Sequence, residues 1–255
     1  MSEFSGETTE DAFLGGALRL RQPKSGHRAG HDAMLLAAAT PARPGDRVVE
    51  FGAGVGAAGL ALKKRAGAID LVLVEFDAGL AALARENAAA NKMSAGVVVL
   101  DLTSAAEAFS NLGLSPDSVD VVLMNPPFND PARHRPSPDH VRAAAHVSTD
   151  ATLEKWVHAA RRILKSSGVL TLIWRADGLA DVLAALERGF GSLKILPVHA
   201  DAARPAIRVL VRAVKGGRAP TEIFSSVVLK DESGLPNKRV ADVLEGRGVL
   251  PLAIP

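Results

Sequence analysis

RVVEFGAGVGAAGLALKKRA, residues 47–66, runs from an apolar strand through a glycine turn into a helix. Val48, Val49 and Phe51 suit a strand covered on both faces. Residues 57–66 are rich in Ala and Leu at the three- and four-residue spacing of a helix. Between them, Gly52, Gly54 and Gly56 let the backbone turn tightly beneath a ligand, and Gly59 lets the helix lie close to the sheet. Strand, turn and helix in this order open a parallel α/β sheet.

The same alternation continues outward from this unit. Residues 69–75, 97–100, 119–124 and 169–174 read as further strands, and residues 77–92, 103–111 and 149–165 read as the helices between them. Residues 192–198 and 206–214, joined by a short connection containing proline, suggest an antiparallel pair at one edge. The expected fold is therefore α/β: a Rossmann-like, seven-stranded, mostly parallel doubly wound sheet with an antiparallel edge pair. Residues 46–230 form the main domain of this reading. Residues 1–45 form an N-terminal extension whose helix packs over the ligand site, and residues 231–255 a tail with a turn and a short helix. Residues 128–147, rich in Pro, Arg and His, are too long for an ordinary loop and read as a segment that orders over substrate.

Composition narrows the possibilities. With 47% hydrophobic and 23% charged residues the chain is globular rather than disordered. It has no cysteine, which excludes disulfides, thiolate metal sites and cysteine nucleophiles. Seven histidines lie scattered without the pairing that would put two on one helix face, so no metal is expected. The start, MSEFSGETTEDAF, is acidic and polar where a secretion signal is basic and then apolar, and no apolar run approaches the ~20 residues needed to span a bilayer. No membrane contact is expected, and the cytoplasm is the default compartment. Two runs carry bases without acids: Arg19, Arg21, Lys24 and Arg28, then Arg204, Arg208, Arg212, Lys215 and Arg218. Such runs suit a polyanionic partner if they meet in space.

Polar groups collect where the strands end. Glu50 closes the first strand and Glu75 the second. Asp101 follows the third in VLDL, and the fourth, VDVVLM, runs into Asn125-Pro126-Pro127-Phe128. In open α/β sheets ligands bind at this carboxyl edge. Gly54, Gly56 and Gly59 also fit the G-x-G-x-x-G dinucleotide fingerprint, with Glu75 on a ribose, so a nicotinamide-dependent oxidoreductase is an alternative. Against it, Glu50 sits badly beside a pyrophosphate and well beside an ammonium or sulfonium. Asp101 is also placed to accept from an adenine amino group.

These four motifs, in this order, resemble those of class I S-adenosylmethionine methyltransferases that act on planar exocyclic or amide nitrogens. Residues from about 18 to 230 resemble more narrowly the bacterial tRNA1(Val) adenine-N6 methyltransferase family. The extra likeness is RAGHDAMLLAA, residues 28–38, where that family has Gly-Thr-Asp; here His31 replaces the Thr. The resemblance implies S-adenosylmethionine held by Asp32, Glu50, Gly52, Gly54, Gly56, Glu75, Phe76, Asp101, Leu102 and Asn125. It implies catalysis by Asn125, Pro126 and Phe128, and RNA, tRNA above all, met by Pro127, Phe128, Arg133, Arg135 and Arg142.

Chemistry accounts for the fourth motif. An amino nitrogen conjugated to a ring is a poor nucleophile until its lone pair is freed. The Asn125 side-chain oxygen and the Pro126 carbonyl can each accept one N–H, aiming the lone pair at a methyl donor, while Phe128 stacks on the base. Binding alone needs no such acceptors, which argues against a silent RNA-binding module. A protein glutamine-N5 methyltransferase would use the same motif and is the main alternative, although only about 45 residues precede the first strand to hold a protein partner. Asp32 reads primarily as the cap of a helix starting near Ala33, and Trp156 and Trp174 as core.

Overall fold

The computed structural model describes residues 6–26, 28–127, 140–231 and 233–254. Its strands are β1 (Thr8–Phe13), β2 (Leu18–Pro23), β3 (Arg47–Phe51), β4 (Asp70–Glu75), β5 (Gly96–Val99), β6 (Val119–Met124), β7 (Leu164–Arg175), β8 (Phe190–His199), β9 (Ala206–Lys215), β10 (Glu222–Ile223) and β11 (Val227–Val228). Its helices are α1 (His31–Ala39), α2 (Ala57–Ala66), α3 (Ala78–Ala90), α4 (Ala106–Asn111), α5 (His140–Ile163), α6 (Leu179–Leu186) and α7 (Lys238–Leu244).

The main sheet runs β10-β8-β9-β7-β6-β3-β4-β5, with β11 also on β8. The strands β7, β6, β3, β4 and β5 are mutually parallel, and β9 is antiparallel to both β7 and β8. This is the expected sheet, with two-residue strands β10 and β11 added parallel to β8. The chain winds outward from β3 through β4 to β5 and then crosses back to β6. The order thus reverses beside β3, the position at which such sheets open a ligand crevice. One apolar layer lies between the sheet and α1, α2, α3 and α7, and a second beneath α4, α5 and α6. Asp120, the polar break in β6, accepts the Arg47 N–H (2.9 Å) and pairs with Lys165 (2.6 Å).

Three differences from the sequence reading concern the ends of the chain and the long loop. The residues before β3 contain a hairpin, β1–β2, whose Leu18 and Leu20 are fully buried in the first layer. Burying each leucine contributes roughly 1.5–3 kcal/mol, so the hairpin belongs to the core. β1 (TTEDAF) has no apolar alternation to announce it. Residues 140–147, read as loop, are the start of α5, while 128–139 lie outside the described residues. At the other end, Leu250 and Leu252 are fully buried, the Leu250 N–H donates to the Ala38 carbonyl (2.9 Å), and Arg212 donates to the carbonyls of Leu252 (3.0 Å) and Ile254 (2.9 Å).

Candidate active site

The turn after β3 is built around two glycines with different duties. Gly54 has φ 55°, and a Cβ added there would meet no atom within 4 Å, so the space above it is open. Gly52 has φ 63°, and a Cβ there would stand 2.3 Å from the Trp156 indole. Trp156 of α5 thus packs against the turn. It also packs against the second apolar layer, as the sequence reading expects, while nothing local marks it as reaching a loop far upstream.

Glu75, at the end of β4, is 9% exposed. Its Oε2 accepts the Gly54 N–H (2.7 Å) and its Oε1 the Asp77 N–H (2.9 Å). A carboxylate offers about four acceptor sites, so two remain for a diol. Phe76, beside it, is 70% exposed and presents a flat apolar wall. Past β5, Asp101 is exposed, and its Oδ1 accepts both the N–H and the hydroxyl of Thr103 (2.8 Å each). The Thr103 N–H, then its hydroxyl, hold this carboxyl below the usual range, so it is an ionised acceptor at the edge. The Leu102 side chain is buried in the second layer, leaving only its backbone to meet a ligand.

Glu50 is 5% exposed, and its Oε2 accepts the Gly59 N–H (2.7 Å) beneath the first turn of α2. One of its two carboxyl oxygens is thus tied to the start of the helix. A Cβ on Gly59 would lie 2.6 Å from that oxygen, which is why the position is glycine. Burial pushes the Glu50 carboxyl up to about 8, outweighing the Gly59 and Ala58 amides that favour the anion; the nearby Glu75 adds to the rise. The folded state therefore holds a proton that the unfolded chain, near 4.5, has released. Stability from this group is full below pH 4.5 and falls as pH rises toward 8, by up to ~1.4 kcal/mol per unit. Glu50→Gln has no such proton to lose. Denaturant unfolding at pH 5 and pH 8 is expected to show the variant gaining on wild type as pH rises, and parallel pH profiles would refute the assignment.

Asn125 follows β6, with Pro126 buried and Pro127 exposed. The Asn125 Oδ1 is buried and accepts no hydrogen bond from the described residues. Phe128, Arg133 and Arg135 lie outside the described residues, and of Arg142 only its place in α5 is described. Asp32 does not cap α1: the helix starts at His31 with Gly30 as N-cap and no side-chain cap. Asp32 lies in the first turn, where the helix end favours an anion, and pairs with Arg208 of β9 (2.9 Å).

The two basic runs are largely neutralised in the fold. Arg19 pairs with Glu10 (3.0 Å), Arg21 with Glu86 (2.7 Å), Lys24 with Glu7 (2.9 Å) and Arg28 with Asp11. In the second run Arg204 pairs with Asp201 (3.3 Å), Arg208 with Asp32, and Lys215 with Asp117 (2.7 Å), while Arg212 holds the C-terminal carbonyls. The acids lie outside the two runs, and the pairs of Arg19, Arg21 and Lys24 are exposed, so those bases still face solvent. Among the described residues no helix is long and apolar enough to cross a membrane.

A doubly wound sheet with an open glycine turn at its reversal point, carboxylates after the next two strands and Asn-Pro-Pro after the fourth defines a class I S-adenosylmethionine-dependent methyltransferase. The chain belongs to the methyltransferase small domain family, which matches residues 25–200. The glycine turn is therefore that of a methyltransferase, and the nicotinamide reading falls away. A tRNA1(Val) (adenine(37)-N6)-methyltransferase of Dickeya chrysanthemi is 28% identical over 80% of this chain and 81% of its own. A ribosomal RNA small subunit methyltransferase C of Stutzerimonas stutzeri is 29% identical over 68% of this chain and 43% of its own. A crystal structure from Agrobacterium tumefaciens, described as a predicted O-methyltransferase, is 30% identical, with TM-score 0.72 over 86% of this chain and 98% of that one.

Proposed function

We propose that this methyltransferase acts on an exocyclic amino nitrogen, the N6 of adenine in RNA, with tRNA as the substrate and the cytoplasm as the compartment. The buried Asn125 Oδ1, unpartnered among the described residues, carries the reading. Leaving such an acceptor empty costs about 1–3 kcal/mol, so the position is built for a donor that arrives from outside. An amino group brings two N–H donors, one for Asn125 and one for the neighbouring Pro126 carbonyl, and in that grip its lone pair is freed for attack. A hydroxyl brings one donor and needs a base to take its proton. Asn125 is no base, which favours a nitrogen acceptor over the oxygen acceptor ascribed to the Agrobacterium protein. S-adenosylmethionine supplies an electrophilic methyl on sulfur. Toward it, Glu75 offers two free acceptor sites for the ribose, Phe76 a wall and Asp101 an acceptor for the adenine amine, and the opening over Gly54 leaves room for the chain between them. Asp32, Gly52, Gly56 and the Leu102 backbone complete that set, with Glu50 acting from beneath. Pro127, Phe128, Arg133, Arg135 and Arg142 are left to the RNA.

Adenine in RNA is preferred to a glutamine amide because the Dickeya relative, named for tRNA adenine-N6, is matched over four-fifths of both chains. The test is incubation of the purified protein with methyl-labelled S-adenosylmethionine and, separately, unmodified tRNA, ribosomal RNA and protein extract, followed by nucleoside and amino-acid mass spectrometry. Label is expected in tRNA as N6-methyladenosine. Label only in ribosomal RNA, or as methylglutamine, would overturn the substrate assignment.

A further inference from the structure

Two asparagines one turn apart, Asn87 on α3 and Asn91 at its C-cap, take the place of a neighbouring strand. Asn91 Oδ1 accepts the Arg19 N–H (3.1 Å), and its amide donates to the Arg19 carbonyl (2.7 Å). Asn87 repeats the pair on Arg21, accepting the N–H (2.7 Å) and donating to the carbonyl (3.0 Å). In an antiparallel pair every second residue turns its backbone groups outward. The Lys24 N–H bonds the Glu7 carbonyl, so Arg19 and Arg21 are the outward residues of β2. Without these side chains the outer edge of β2 would lie against a helix with two N–H and two C=O groups unpaired.

Asn87 does one thing more. It is 1% exposed, and its second N–H donates to the Val55 carbonyl (3.0 Å), between Gly54 and Gly56 in the turn over which the space is open. Asn91 sends its corresponding N–H back to the Asn87 backbone carbonyl of α3 (2.8 Å), not to the turn. On its other side the hairpin holds the approach to α1. Gln22, also 1% exposed, accepts the Ala29 N–H (2.8 Å) and donates to Asp11 (2.8 Å), and Arg28 donates to the Pro23 carbonyl (2.6 Å) while pairing with Asp11. The hairpin is thereby bonded to both the glycine turn and the segment leading to Asp32.

We infer that the β1–β2 hairpin braces the cofactor turn and that Asn87 is its positioning residue, fixing the Val55 carbonyl so that the turn is already shaped before S-adenosylmethionine arrives. This rests on the glycine turn being the cofactor cradle. A stabilising asparagine with no such duty would affect melting alone.

Calorimetry with S-adenosylhomocysteine on the full chain, with amide hydrogen exchange of the ligand-free protein, tests the inference through four variants. Asn87→Asp keeps the shape but sets oxygen against the Val55 and Arg21 carbonyls. It is expected to weaken binding by about 10-fold, the size of one buried hydrogen bond, and to speed exchange across residues 54–59. Asn87→Ser, a milder change should the first variant not fold, is expected to move both readouts in the same direction. Asn91→Ala is expected to lower the melting temperature yet bind within about two-fold of wild type, because it does not reach the turn. Gly54→Val, which fills the open space, is expected to abolish binding. If Gly54→Val binds normally, the cradle reading fails. If Gly54→Val fails to bind while the Asn87 variants bind like wild type, or weaken binding no more than Asn91→Ala does, the brace is overturned.

Discussion

Asn125→Ala is expected to lower turnover by about 10²-fold or more while leaving S-adenosylhomocysteine affinity within about two-fold of wild type. Alanine removes a buried acceptor that no described residue satisfies, so the variant is expected to lose an interaction made with the incoming amino group. The oxygen removed makes no hydrogen bond with the described residues, so turnover is expected to suffer far more than melting temperature. Asn125→Asp retains an acceptor but buries a carboxyl, which raises its pKa. Partial activity that climbs with pH is expected as that carboxyl ionises. Single-turnover kinetics on the unmodified RNA substrate, with calorimetry beside it, separates the effects. Wild-type turnover in Asn125→Ala would remove the amino-group mechanism altogether.

The second large effect concerns the cofactor. Glu75→Ala is expected to weaken S-adenosylhomocysteine binding by at least the ~1.5–3 kcal/mol of a hydrogen bond to a charged group, roughly 10- to 150-fold. The loss has two sources, because Glu75 also accepts the Gly54 and Asp77 N–H groups and so holds the turn as well as offering itself to a ribose. Glu75→Gln separates them. Its single carbonyl oxygen can keep one backbone N–H but not both, and intermediate affinity is expected. Calorimetry in which Glu75→Ala binds as tightly as wild type would show that the ribose is held elsewhere.

Local pattern is most legible where local forces decide. Residues 47–51 and 119–124 read as strands to the residue, since each is a short apolar run stopped by glycine or proline. The parallel sheet with its antiparallel edge follows from the alternation of strands and helices, and the polar ends of four successive strands from simple order. Asp77, read as the start of a helix, is the cap of α3, its side chain accepting the Leu80 N–H (2.8 Å). The hairpin escapes such a reading because β1 offers no apolar period, and its partner is stabilised by asparagines 66 and 72 residues away in sequence.

By itself, then, the sequence determined the order of elements, the acceptor chemistry after β6 and the glycine turn after β3. These depend on spacing along the chain, where φ restrictions, hydrophobic period and missing N–H groups act within a few residues. Tertiary structure alone decided which charges remain free, which carboxyl is buried and which amide braces the turn. Arg208 looks like a phosphate ligand until the fold brings Asp32 to it across 176 residues, and Glu50 gives no sign in sequence that α2 will close over it. Electrostatic pairing and desolvation act through space, so no window of sequence contains them.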